Sequence, residues 1–178
     1  MLHSYFQVGI FALRYSLQIS VIIFCIFTAV KFLFKRKLEL KPKVLLCEFA
    51  WLLTVIVILN ITGIIGPMSS KFGITSIFDG SAQLRFGLFE EGLSTATLLN
   101  VILFIPFGFF SPIVFKKLGH KRSYGILIGL IFSIIIEFLQ TFTGRFMQLD
   151  DLLMNTIGTF IGYEIWFWLS KLIQSLKK

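Results

Sequence analysis

Histidine and cysteine are nearly missing from this chain, with two of each among 178 residues. Cys25 falls within the first long apolar stretch and Cys47 near the start of the second. Neither has metal-ligand spacing, and thiols in such stretches are more often small packing groups than disulfide partners. Acidic residues are also scarce, nine against seventeen Lys and Arg, for a net charge of +8. That balance invites a nucleic-acid reading. The cations, however, flank apolar stretches and form no face of their own, so nucleic acid is not an expected partner and the charges read as topology signals. There is no low-complexity tract and no convincing internal repeat. The pattern of a cleavable signal peptide is missing too. No basic region opens the chain, no small-residue cleavage site follows, and Lys31, Lys35, Arg36 and Lys37 close the first stretch. That stretch is expected to stay as an anchor.

What the chain has is apolar length. Hydrophobic residues make up 56% of it, and its mean hydropathy is +0.88. Crossing a bilayer takes about 20 mainly apolar residues, and five such spans would use roughly 100. The spans are expected at about Ile10–Phe34, Val44–Ile65, Leu98–Phe115, Tyr124–Phe142 and Leu152–Leu172. Cations gather in alternate connections: Lys35, Arg36, Lys37, Lys41 and Lys43, then Lys116, Lys117, Lys121 and Arg122, then Lys171, Lys177 and Lys178. The positive-inside rule then predicts an all-α, polytopic integral membrane bundle of about five transmembrane helices, N-terminus out and C-terminus in. It reads as a single membrane domain over 1–178, with two N-terminal spans in 1–66, an extracytoplasmic loop at 67–97 and a three-span core at 98–172. A loop that long calls for some structure of its own, either a short interfacial helix or a hairpin turning at Asp79-Gly80. His3 and His120 fall on opposite faces in this topology, which excludes a His-based metal cluster or a Ser–His–acid triad. No metal or cofactor is expected.

Glu137 is the residue that composition alone would not place. It sits inside the fourth span, where a carboxylate in hydrocarbon costs roughly 2.5–3.5 kcal/mol and usually faces a protein interior or a water-filled cavity. Gly129, Ser133, Glu137, Gln140 and Gly144 recur at spacings of three and four, so they share one helix face. Asp151, Asn155, Gly158 and Gly162 do the same in the fifth span. Gly125–Gly129 and Gly158–Gly162 are small-xxx-small pairs, which let helices approach closely. Packed together, the stripes would set Glu137, Gln140, Asp151 and Asn155 in one outward-facing recess. Asn100 lies level with it at the outer end of span three, and Asn60 is a further candidate from span two. Pro106 removes a backbone donor and is expected to kink span three. Arg145, in the short turn, can reach a carboxylate or an anionic ligand. Asp150 has two readings, a cap of span five or a second acid at the site. Glu48 is expected to snorkel toward Lys41 or Lys43, and Glu164 to pair with a basic residue near the inner surface. Arg145 or Arg14 could also hold Glu137 in a structural ion pair.

Three blocks resemble a known family. Asn100-Val101-Ile102-Leu103-Phe104-Ile105-Pro106-Phe107-Gly108 is similar to N-x-x-L-F-x-P-F-G, and Ser133 through Glu137 to Gln140 is similar to S-x-x-I-E-x-x-Q. Arg145, Asp150, Asp151, Asn155, Gly158 and Gly162 follow R-x-x-D-x-D-D-x-x-x-N-x-x-G-x-x-x-G. Together they resemble the VanZ-like family, small membrane proteins named for a teicoplanin-resistance protein. Gln148 departs from the pattern, which often has an acid there; Gln still hydrogen-bonds but brings no charge. The resemblance implies a multi-pass protein of the cell membrane associated with resistance to teicoplanin and related lipoglycopeptides.

Two functions follow. In the first, the recess binds or modulates a polar cell-envelope component, such as a lipid-linked cell-wall precursor, an envelope polymer or the lipoglycopeptide itself. The ligand-binding candidates are Asn100, Glu137, Gln140, Arg145, Asp150, Asp151 and Asn155. In the second, the protein is a membrane-embedded enzyme acting on an envelope lipid or glycan, with Glu137 as general acid or base. A transporter is disfavoured, because the apolar inner halves of spans three to five leave no continuous polar path.

Overall fold

The computed structural model describes residues 2–34, 41–68, 84–85, 87–89, 92–143 and 147–177. Five long helices occupy most of them: α1 (Leu2–Phe34), α2 (Pro42–Ile61), α3 (Thr95–Val114), α4 (Ser123–Thr141) and α5 (Leu149–Ser175). The expected spans fall on these helices, with α1 starting at Leu2 instead of Ile10. Four of them, α1 to α4, are long and apolar enough to cross a membrane. α5 has the length, at 27 residues, but Asp150, Asp151, Asn155 and Glu164 make it more polar. Large apolar side chains lie exposed on every helix, among them Ile22, Leu46, Ile102, Phe138 and Leu172. In water so large an apolar surface would promote association; facing acyl chains it is the expected exterior.

Local sequence explains where the helices start and stop. Lys41 is extended and Pro42 opens α2, where its missing N–H costs nothing. Gly63 and Gly66, both at positive φ, follow its last turn. Ser94 caps α3, its side chain accepting from the Thr97 N–H at 3.0 Å. α3 runs on through Pro106 and Pro112, so neither proline ends it. The connection between α2 and α3 is described in part. Leu84–Arg85 pairs in parallel with Met147–Gln148, laying that connection against the turn between α4 and α5. Asp79-Gly80 lies outside the described residues.

α5 is the central helix. It packs most extensively on α3 and next on α4, whereas α3 and α4 meet mainly through side chains. The contact with α3 is backbone on backbone. A Cβ built on Gly108 would lie 1.9 Å from the Thr159 carbonyl oxygen. One on Gly158 would lie 2.3 Å from the Val101 oxygen, and one on Gly162 would lie 1.9 Å from the Ile105 oxygen. On the other flank, Gly125 faces the Tyr163 ring and Gly129 faces Thr159 and the Thr156 backbone. Phe104, Phe107, Ile58 and Ile136 fill the space between α2, α3 and α4, with Phe107 stacked on Phe132 at 4.2 Å between ring centroids. α1 packs chiefly on α2.

Several buried polar groups outside the recess have found local partners, whereas Ser20 Oγ, Thr28 Oγ1 and Asn60 Oδ1 have none among the described residues. Asn60 faces α1, donating to the Ala12 carbonyl at 3.2 Å and to Ser16 Oγ at 3.3 Å, and so takes no part in the recess. Glu48 pairs with Lys31, at 2.7 and 2.9 Å, instead of Lys41 or Lys43, because α1 runs back beside α2 and brings Lys31 to its level. Glu164 takes the guanidinium of Arg122, with Nε donating at 2.8 Å. That bond is the main reason the Arg122 pKa is raised above its ordinary value. The Tyr163 hydroxyl reaches the Leu118 and Lys121 carbonyls, each at 2.9 Å, and pins the α3–α4 connection to α5.

A side chain at Gly162 therefore has to push α3 and α5 apart. Gly162→Leu is expected to lower the melting temperature of the detergent-solubilised protein by many degrees, since overpacking against fixed backbone exceeds the usual cost of about 1–3 kcal/mol. Gly9→Ala, where a Cβ meets nothing within 4 Å, is expected to leave it unchanged or slightly higher. Differential scanning fluorimetry of the two variants checks both.

Candidate functional site

The helix ends that converge at one pole of the bundle are the end of α2, the start of α3, the end of α4 and the start of α5. They surround a cavity of about 150 Å³ lined by Ile61, Thr62, Ser94, Ala96, Thr97, Asn100, Glu137, Gln140, Gln148, Asp151 and Asn155. Nine of these eleven side chains are polar.

Each group is held by a specific neighbour. Glu137 is 1% exposed, and its Oε2 accepts the Gln148 backbone N–H at 3.1 Å. Asn100 donates through Nδ2 to Asp151 Oδ1 at 2.7 Å, joining the second turn of α3 to the first turn of α5. Gln140 donates to the Thr62 carbonyl at 3.0 Å, joining α4 to the end of α2. Asn155 donates to Ser133 Oγ at 3.0 Å, joining α5 to α4. The Asn155 carbonyl oxygen is different. The residue is 2% exposed, and Oδ1 has no hydrogen-bond partner among the described residues.

Of the seven ligand-binding candidates, five line this one cavity: Asn100, Glu137, Gln140, Asp151 and Asn155. Asp150 does not. It neighbours Asp151 on a helix, about 100° round the axis, and its Oδ1 accepts the Phe89 N–H at 2.8 Å. Nor does it cap α5, because the N-cap position is Gln148, without a side-chain cap bond. Phe89 has a φ of 55°, in the left-handed region that costs a non-glycine residue roughly 1–2 kcal/mol. The Asp150 hydrogen bond helps to hold it there. Arg145 lies outside the described residues, and Arg14 is exposed on α1.

Four polar lining residues were not among the candidates. Ser94 and Thr97 precede Asn100 at intervals of three, and that spacing was a usable signal. Gln148 stood out only as a departure from the family pattern, yet its backbone N–H holds Glu137. Thr62 enters through its position just past α2, which no periodicity marks. Among the described residues, no three His, Cys, Asp or Glu side chains come together in a way that could hold a metal ion. Chemically the cavity is a hydrogen-bonding pocket for a small polar group, with carboxylates from two helices in its wall.

Comparison with known proteins places this chain in a family. Residues 21–171 match the VanZ/LLP1 family. Over 69 residues the chain is 35% identical to Protein VanZ of Enterococcus faecium, a match covering 38% of this chain and 41% of that protein. The match thus spans about two fifths of that relative's length. No solved structure matches. With four helices apolar enough to cross a membrane and a family match running through all five, this chain belongs to the VanZ/LLP1 family.

Proposed function

We propose that the polar cavity is a binding site at the outer face of the cell membrane, where it engages a polar component of the envelope and lowers susceptibility to teicoplanin-type lipoglycopeptides. The resistance role rests on family membership and on the likeness to Protein VanZ. The site rests on one observation: Asn155 Oδ1 is buried in the cavity wall without a partner among the described residues. A buried carbonyl left in that state costs about 1–3 kcal/mol. A ligand hydroxyl or amine donating to it would remove that cost. Asn100, Gln140, Glu137 and Asp151 surround the same space and would hold neighbouring sugar or amine groups of a wall precursor or polymer. Arg145 would contact phosphate or carboxylate with its planar fork. Capture of such a component would deny it to the antibiotic.

The proposed orientation rests on the cations. The cavity lies at the pole away from the α1–α2 and α3–α4 connections, which carry the lysines and arginines that favour the cytoplasmic side. In this arrangement the N-terminus is outside and the C-terminus inside. With Cys25 and Cys47 replaced by serine, a cysteine at Leu93 is expected to react with a membrane-impermeant maleimide on intact cells. A cysteine at Lys117 is expected to react only after permeabilisation. The opposite pattern would invert the topology and remove the cavity from the envelope side.

A rival reading gives Glu137 a proton-transfer role on an envelope lipid or glycan, favoured by a carboxylate only 1% exposed in the wall of a polar cavity. Glu137→Gln separates the two. It preserves shape and hydrogen bonding but carries no transferable carboxyl proton. The binding reading expects Glu137→Gln to retain most teicoplanin resistance, and Glu137→Ala and Asn155→Leu to lose it, at equal membrane abundance. Each lost hydrogen bond of this kind corresponds to roughly tenfold or more in affinity. Inhibitory concentrations in a susceptible host, with protein quantified by immunoblot, check this. Unchanged resistance in Glu137→Ala would defeat both readings.

A further inference from the structure

The opposite pole of the bundle holds a second cavity, independent of the recess. α1, α2 and the end of α3 enclose a groove of about 420 Å³ lined by Ile23, Phe24, Phe27, Lys31, Glu48, Trp51, Leu52, Val114 and Phe115. That volume is within the range of small-ligand sites, roughly 300–1,000 Å³. Its walls are hydrocarbon and aromatic ring. The one polar atom of Trp51 is already used, its Nε1–H donating to Ser111 Oγ at 3.1 Å.

Lys31 and Glu48 are the two charged side chains in the lining, and both keep some exposure, at 29% and 17%. Lys31 Nζ donates to both carboxylate oxygens, at 2.7 and 2.9 Å, and lies 4.4 Å from the centroid of the Phe27 ring. An ammonium has three donors and a carboxylate about four acceptor positions. The pair therefore retains one N–H and further lone pairs without being broken. A ligand that completes it carries an anionic oxygen for Lys31 and an N–H cation for Glu48, a short distance apart, on an apolar tail.

We propose that this groove holds one phospholipid with a primary ammonium headgroup: an acyl chain between α1, α2 and α3, a phosphate oxygen on Lys31 and the ammonium on Glu48. A bilayer that contains such lipids would supply the occupant. Charge complementarity selects among them. A purely anionic headgroup would set its phosphate beside the Glu48 carboxylate without an ammonium of its own to offset the repulsion. A choline headgroup has no N–H to donate. The rival outcome is a preference for anionic lipid, drawn by Lys41, Lys43, Lys116 and Lys117 in the neighbouring connections.

The test is native mass spectrometry of the full chain released from nanodiscs that contain equal amounts of phosphatidylethanolamine, phosphatidylglycerol and phosphatidylcholine with identical chains. The expected result is one retained lipid per protein, with phosphatidylethanolamine favoured by about tenfold over each of the others. The Lys31→Met/Glu48→Met double variant removes both charges together, leaving neither unpaired. It is expected to keep a lipid but lose the headgroup preference. Leu52→Trp, which fills the groove, is expected to lose the retained lipid, and Val114→Phe serves in its place if Leu52→Trp does not fold. Phosphatidylglycerol retained as well as or better than phosphatidylethanolamine in the wild-type chain overturns the proposal. So does a headgroup preference that survives the double variant, or a retained lipid that survives a folded groove-filling variant.

Discussion

Close contact between the backbones of α3 and α5 is the constraint on which the rest depends. Lipid tails are as apolar as leucine, so helices in a bilayer gain little by hiding hydrocarbon from one another. What joins them is van der Waals contact and weak C–H···O attraction, both of which need short distances. Gly108, Gly158 and Gly162 make those distances possible, because each faces a carbonyl of the other helix where a side chain would stand. With α5 seated on α3, its first turn falls beside the second turn of α3, and Asp151 meets Asn100. α4 then docks on the other flank of α5 over Gly125 and Gly129, which brings Ser133 to Asn155. The polar cavity results from that stacking.

The described neighbours of the carboxylates differ between the two poles of the bundle. At one, Glu48 and Glu164 each take a cation from a neighbouring element, Lys31 and Arg122. At the other, the described wall of the cavity brings Glu137 and Asp151 together with amides, hydroxyls and a backbone N–H. Amides and hydroxyls adapt to either donors or acceptors, which suits recognition of sugars and peptides. Two short pieces of the connection that precedes α3 are tied to the start of α5, through the Leu84–Arg85 pairing with Met147–Gln148 and the Asp150 bond to Phe89.

Much of the fold was legible in the sequence because long apolar stretches and their basic flanks are physical requirements of a bilayer. The five helices lie where those stretches do. The cavity was legible to the extent that it is built from helical stripes. Glu137 with Gln140, and Asp151 with Asn155, recur at one-turn intervals, and the same spacing ties Ser94 and Thr97 to Asn100. Partners set by tertiary packing were not legible. Glu48 was expected to reach a lysine close in sequence and instead takes Lys31 across two helices. Asn60 looked like a cavity residue by depth, but its azimuth on α2 turns it to α1. Gly108 stood in a recognisable motif, yet its role appears only once the Thr159 carbonyl is seen against it.

The amino-acid sequence by itself determined that this is a bundle of apolar helices, where those helices lie and which turns carry the polar stripes. Each of these follows from local periodicity and from the cost of exposing peptide groups to hydrocarbon. Only the tertiary structure decided which stripes face each other, that Asp150 leaves the cavity for Phe89, and that Gln148 and Thr62 enter it. The reason is geometric. Residue spacing sets the angle at which a side chain leaves its own helix, whereas the neighbour it meets depends on how closely the glycine faces let the helices approach.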